Sequence, residues 1–311
     1  MNYLASPTLL ALMAKSLKYV HKDRPSARLV KEGPQTPPLI SVIISTYNRS
    51  SVLRLAIRSV LWQTEQDFEI LVMGDGCSDD SEEMVRSFGD ARLLWHNLPS
   101  NSGHQSAPNN EGLRRARGQY IAYLGHDDVW HPEHLGTLLR FIRKKDAGFA
   151  TSLVEMIGPE GSNYREIAGL YPRSGYDGKQ GIPPSGLMHR ADVVQRIGGW
   201  NDYRAVWRNP EVDFEYRAFE AGLKFVSTHE LTVFKFNSTL RKNSYRDKPC
   251  HEQTAYCKRI ENDRFFLLKE SCEIARVHWR RLPVDVVSTP PSASQTPGWN
   301  VEQYRKLRGL E

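Results

Sequence analysis

The chain has 311 residues, 40% hydrophobic and 25% charged, which are the proportions of a globular protein with a full core rather than a fibrous or disordered one. A formal charge of +6 favours anionic partners and leaves nucleotides, acidic polymers and anionic lipid surfaces open. Cys77, Cys250, Cys257 and Cys272 are too few for a disulfide framework and point to a reducing, cytoplasmic compartment; Cys250, His251 and Cys257 lack the Cys-X-X-Cys pair that would close a zinc site.

The first element is the apolar run Leu9 to Ala14, followed by Lys15, Lys18, Lys22 and Arg24. It is too short to span a bilayer, and its charges follow it instead of preceding it as in a signal peptide. The pattern predicts a packed amphipathic helix whose lysines can also meet anionic headgroups, a peripheral membrane contact. Residues 25–38 are rich in proline and charge and read as a linker.

Leu39 to Ile44 form a first buried strand ending at Ser45, Thr46, Tyr47, Asn48 and Arg49. Val52, Leu53, Ala56, Ile57, Val60 and Leu61 then recur at helical spacing. A second strand, Phe68 to Met73, runs into Gly74, Asp75, Gly76, Cys77, Ser78, Asp79 and Asp80, and Leu93 to Trp95 suggest a third. Asn101, Gly103, Gln105, Asn109, Asn110 and Gly112 lead through a helix to the central strand, Tyr120 to Leu124. Strand, helix, strand with polar loops on one edge describes an α/β protein whose parallel sheet has crossover helices.

That central strand ends in Gly125, His126, Asp127 and Asp128. In open α/β sheets the carboxyl edge binds ligands, and adjacent carboxylates there suit a divalent cation that neutralises a diphosphate. Capping by Asp128 of a helix opening near Pro132 is the alternative.

Phe149 to Ile157 read as another strand, and Gly158 to Ile182 as a long substrate-facing loop. Ser185 to His189 predict a strand, and Ala191 to Ile197 a short helix stopped by Gly198 and Gly199. Pro210 opens the next helix with Glu211 and Asp213 in its first turn, where the helix dipole stabilises acids. Lys224 to Phe236 read as a closing strand pair. The chain is then basic, helical around Asp263 to Trp279, and rich in serine, proline and threonine over 288–298, the composition of a flexible tail.

Taken together, Ser45 to Arg49, Asp75 to Asp80, Asn101 with Gly103, and Gly125 to Asp128 resemble the family 2 glycosyltransferases from about Leu39 to Phe236. The resemblance implies a single Rossmann-like A-type glycosyltransferase domain with a mostly parallel central sheet over 39–236. An N-terminal helix and linker (1–38), a C-terminal helical extension (237–287) and a flexible tail (288–311) would flank it. It implies inverting transfer of a sugar from a nucleotide-diphospho-sugar, UDP- or dTDP-linked, to an acceptor hydroxyl of a glycan or glycoconjugate. Thr46, Tyr47, Arg49, Asp75, Asn101, Gly103 and His126 would bind the donor; a tyrosine can stack on a pyrimidine and an aspartate can accept its ring N–H. Asp127 and Asp128 would hold Mn2+ or Mg2+. The family motif Asp-X-Asp-Asp is here Gly125-His126-Asp127-Asp128, without its first acid. Aligned on Arg217, Glu211 falls on the catalytic base and Asp213 on the acid that follows it, while Pro210 replaces the acid before them.

Two rivals stand beside this reading. A sugar nucleotidyltransferase would need a glycine-rich basic loop after the first strand, whereas Ser45 to Ser51 contain one arginine and no glycine. A binding module that kept the fold without turnover fits the altered acidic motif. The short basic groups at 140–145 and 303–308 read as solvated faces, so no nucleic-acid partner is expected.

Overall fold

Ile40, Val42 and Ile44 face one side of the central sheet and Ile43 the other, all fully buried, because their strand has a neighbour on each edge and helices on each face. The computed structural model describes residues 6–20, 29–31, 36–171, 175–280 and 296–310. Much of the expected linker, Lys22, Arg24 and residues 288–295 of the expected tail lie outside the described residues.

The elements, in chain order, are α1 (Ser6–Leu17), β1 (Ile40–Thr46), α2 (Ser50–Leu61), β2 (Phe68–Gly74), α3 (Ser81–Arg86), β3 (Leu93–Asn97), α4 (Ser106–Arg115), β4 (Tyr120–Gly125), β5 (Asp128–Trp130) and α5 (His134–Lys145). There follow β6 (Phe149–Ile157), β7 (Arg165–Ala168), β8 (Leu187–Arg190), α6 (Val193–Ile197), α7 (Pro210–Glu220), β9 (Phe225–Phe236), α8 (Ser244–Asp247), α9 (His251–Asn262), α10 (Phe266–Arg280) and α11 (Trp299–Arg308).

One sheet runs β3-β2-β1-β4-β8-β6-β9-β5, with β7 on the edge of β6. Its first four strands are parallel, and the second half is mixed: β6 and β9 pair in parallel, while β8, β7 and β5 run antiparallel to their neighbours. Thr46 pairs with Gly74 and Ser45 with Gly125, so the polar segments after β1, β2 and β4 leave the sheet at one level. That shared level assembles the site.

Several expectations are corrected. Lys224 to Phe236 are not a strand pair but one strand, β9, whose register against β6 shifts near His229, a residue with φ 51°. Asp128 does not cap a helix: it starts β5, and α5 begins only at His134 after Glu133. The long loop contains β7, and the expected tail contains α11. On the far side, α1 packs against α10 and β9 with Leu12 buried, Ser16 and Ser271 hydroxyls 2.8 Å apart, and Leu10 and Leu17 exposed. No helix among the described residues is long and apolar enough to cross a membrane.

Candidate active site

The level carboxyl ends of β1, β2 and β4 form the floor of a cleft of about 400 Å³. Thr46 and Tyr47 come from β1, Asp75 from β2, and His126 and Asp127 from β4. Asn101 and Gly103 line it from the loop before α4, Glu211 from the start of α7, and Lys235 from β9. Arg49, Asp128 and Asp213 are not among the lining residues.

At one end the loops are tied to each other before any ligand arrives. Asn48 Oδ1 accepts from the Ser78 and Asp79 amides at 2.8 and 3.2 Å, joining the segments after β1 and β2. Gly76, at φ +71°, lies so close to the chain that a Cβ there would come within 2.5 Å of the Asn101 nitrogen. Asp75 accepts from Asn101 Nδ2 and Ser102 N, both at 2.9 Å, and from Gly103 N at 3.3 Å. Burial nevertheless raises its pKa, with the Ser102 and Gly103 donors and the charge of Arg305 pulling the other way.

In the centre the two adjacent acids separate. Asp128 is wholly buried, its Oδ2 accepting from Ser185 Oγ at 2.5 Å and Lys235 Nζ at 3.2 Å. Burial pushes its carboxyl up to about 6 against the pull of Lys235. It acts as a structural ion-pair partner rather than an acid presented to the cleft. Asp127 faces the cleft. Burial alone would raise its pKa, but the charges of His126, Lys235, Arg49 and Arg308 outweigh that and hold it below the usual range. His126, pushed down to about 4 mainly by burial, is neutral near pH 7, so there the lysine and arginines keep Asp127 ionised. The His126 ring spans Thr46 Oγ1 at 3.0 Å and the Tyr245 hydroxyl at 3.2 Å. Arg49 lies behind it, buried, with its guanidinium 5.1 Å from the Tyr245 ring centroid and Nη2 donating to the Pro249 carbonyl at 3.3 Å.

At the other end, α7 turns its two first-turn acids apart, as about 100° per residue requires. Glu211 reaches the cleft, and its Oε2 is buried without a hydrogen-bond partner. Burial raises its pKa, opposed by Lys235 and Arg308. Asp213 points away, accepting from Arg217 Nε and Asn201 Nδ2, both at 2.9 Å, while Arg217 also donates to the Gly199 carbonyl at 2.7 Å. Asp213→Asn is therefore expected to cost roughly 1 kcal/mol or less of stability, as a partly exposed ion pair does, and to leave turnover near normal. A thermal melt and a rate measurement on the same preparation check this; a folded but inactive variant would move the base to Asp213.

Some of this could not be foreseen. Glu215, one turn beyond Glu211, is buried and accepts from the Ile182 amide at 2.9 Å and the Tyr176 hydroxyl at 3.3 Å, holding residues 176–182 at the rim. Tyr304, Arg305 and Arg308 enter from α11. Neither role leaves a local sequence signal, because each partner is distant in the chain.

Asp127 is the strand-end acid whose chemistry fits a metal. It is a hard oxygen donor, ionised and turned to the cleft, and such ions take one or two carboxylates with the remainder from phosphate and water. Among the described residues no group of three or more His, Cys, Asp or Glu side chains is gathered to hold an ion by itself.

Residues 41–227 match the model of the family described as Glycosyl transferase family 2. An uncharacterized glycosyltransferase of Rickettsia prowazekii is 37% identical over 109 residues, covering 35% of this chain and 33% of that protein. The putative teichuronic acid biosynthesis glycosyltransferase TuaG of Bacillus subtilis is 29% identical over 127 residues, 40% of this chain and 50% of its own. The chain spans 22% to 33% of the length of the first curated relatives it matches. In fold it is similar to residues 1–349 of S. aureus TarS in complex with UDP-GlcNAc, with a TM-score of 0.54 and 17% identity over 75% of this chain and 71% of that one.

Proposed function

Because the chain belongs to glycosyl transferase family 2, a family of glycosyltransferases, we propose that it moves a sugar from a uridine or thymidine diphosphate donor to an acceptor hydroxyl with inversion at the anomeric carbon. The observation that carries this reading is the placing of Glu211 and Asp127 on one cleft with Tyr47 and Asp75. That TarS, of similar fold, was crystallised with UDP-GlcNAc supports a nucleotide-sugar donor.

In this reading Tyr47 packs on the face of the base, and Asp75, already oriented by Asn101 and the Ser102 amide, accepts a ring N–H. The diphosphate lies toward Asp127 and Lys235, where Asp127 would hold Mn2+ or Mg2+. Such an ion, when bound, neutralises charge on the departing diphosphate. Glu211 takes the proton of the acceptor hydroxyl as its oxygen bonds to the anomeric carbon, and the bond from that carbon to the diphosphate oxygen breaks. The nucleoside diphosphate carries away the electron pair, and a single displacement inverts the centre. The acceptor, a glycan or glycoconjugate, approaches past residues 176–182.

The pyrimidine preference is testable by calorimetry. Uridine diphosphate should bind more tightly than adenosine diphosphate, since a purine needs other room and another edge pairing; equal or tighter binding of the adenosine compound would sink the assignment of Tyr47 and Asp75. Release of nucleoside diphosphate from a panel of nucleotide sugars with an acceptor separates a transferase from a module that only binds.

A further inference from the structure

The C-terminal helix closes one wall of the cleft. α11 is framed by Gly298 at φ 79° and Gly309 at φ 78°, left-handed positions that let the chain enter and leave it sharply. At its start the Gly298 amide donates to the Val206 carbonyl at 3.3 Å, and a Cβ on Gly298 would touch the Tyr203 ring at 3.1 Å. At its end the Leu307 carbonyl accepts from the Asn243 amide at 2.8 Å. Midway, Arg305 Nη1 donates to the Gly103 carbonyl at 2.8 Å, on the loop that holds Asp75. Fastened at three points, the helix stands on parts of the chain that are otherwise far apart in sequence.

Arg308 lies about one helical turn beyond Arg305 on α11, and both line the cleft. Its side chain lines the cleft with Asp127, Glu211 and Lys235, and its Nε is buried without a hydrogen-bond partner. Its charge acts on His104, His126, Asp127, Glu211, Lys235 and Tyr245, groups spread around the cavity. A guanidinium so placed, with an N–H unmatched by the protein, wants an anion with oxygens set for a planar fork. The remaining cleft cation, Lys235, is already engaged with Asp128.

We propose that Arg308 is a donor-binding residue: its guanidinium bonds the diphosphate of the nucleotide sugar, and α11 is therefore part of the donor site. This rests on the nucleotide-sugar reading above. The position of Gly125 where the family motif has its first acid agrees with it, since one fewer carboxylate leaves room for a protein cation beside the phosphates.

The test uses the full chain, with uridine diphosphate and uridine as probes in manganese-containing buffer. Arg308→Gln should weaken uridine diphosphate about tenfold or more, the size of a lost charged hydrogen bond, while uridine binding stays as in the parent. Arg308→Lys, which keeps the charge but not the fork, should fall between. A melting temperature close to the parent's accompanies these results, because the anchors of α11 at Val206, Gly103 and Asn243 are untouched. Unchanged uridine diphosphate affinity in Arg308→Gln overturns the proposal and leaves the transferase reading standing. Equal loss for both probes also overturns it, since that marks a general disturbance of the cleft, and tighter binding would make Arg308 an obstruction. If the parent binds neither nucleotide, the donor reading itself falls and this proposal with it.

Discussion

Glu211→Gln is expected to lower turnover about a hundredfold or more while donor affinity stays near that of the parent. The amide is nearly the same shape as the carboxylate but cannot take a proton, and general-base contributions are of this size. Donor affinity is spared because Glu211 enters the cleft from α7, whereas Tyr47 and Asp75 enter it from the ends of β1 and β2. The pH profile carries a second expectation. Burial raises the Glu211 pKa above its ordinary 4.5, and only the deprotonated form acts as a base. The acidic limb of the rate should therefore rise through a midpoint above 4.5, and Glu211→Gln should lack that limb. Near-normal turnover in the folded variant would remove Glu211 from the mechanism.

The second large effect is at Asp127. Asp127→Ala should abolish manganese-enhanced binding of uridine diphosphate while metal-free affinity holds or rises. Both follow from charge: the variant loses the ionised oxygens turned to the cleft, and it also loses an anion that repels the diphosphate from Lys235 and Arg308. A general weakening of the fold would lower both affinities together, so the divergence between them is the diagnostic. Calorimetry with manganese and with chelator measures it, and a variant whose metal response equals the parent's would place the ion elsewhere. Asp128→Ala should behave differently, because it leaves the Lys235 ammonium and the Ser185 hydroxyl without their shared partner. Stripping one member from a buried pair costs several kcal/mol, roughly 3–5, so its signature is a lower melting temperature.

The parallel half of the sheet was legible because its strands are apolar runs stopped by polar segments, and those after β1, β2 and β4 fall together at the edge that floors the cleft. Asp75 and Asp127 were readable on the same ground. What sequence could not show is which of two neighbouring acids turns inward. Asp128 is claimed by Lys235, 107 residues away, and no local pattern announces such a pair. β5 escaped notice because three residues are too few for alternation to register. α11 was hidden by the serine- and proline-rich stretch before it and by its own polarity, for Val301 is its one buried residue among those described. Its helical state owes more to the cleft wall it stands against than to any apolar stripe.

Glu211 and Glu215 lie four residues apart on α7, so the helix presents one acid to the cleft and uses the other to grip residues 176–182. In the proposed mechanism, acceptor choice and proton removal are thereby geared to one helix. A change in that loop that tilts α7 shifts the base as well, so variants with altered acceptor preference should show it in kcat as well as in KM. A catalyst built this way cannot retune what it recognises without retiming how fast it works.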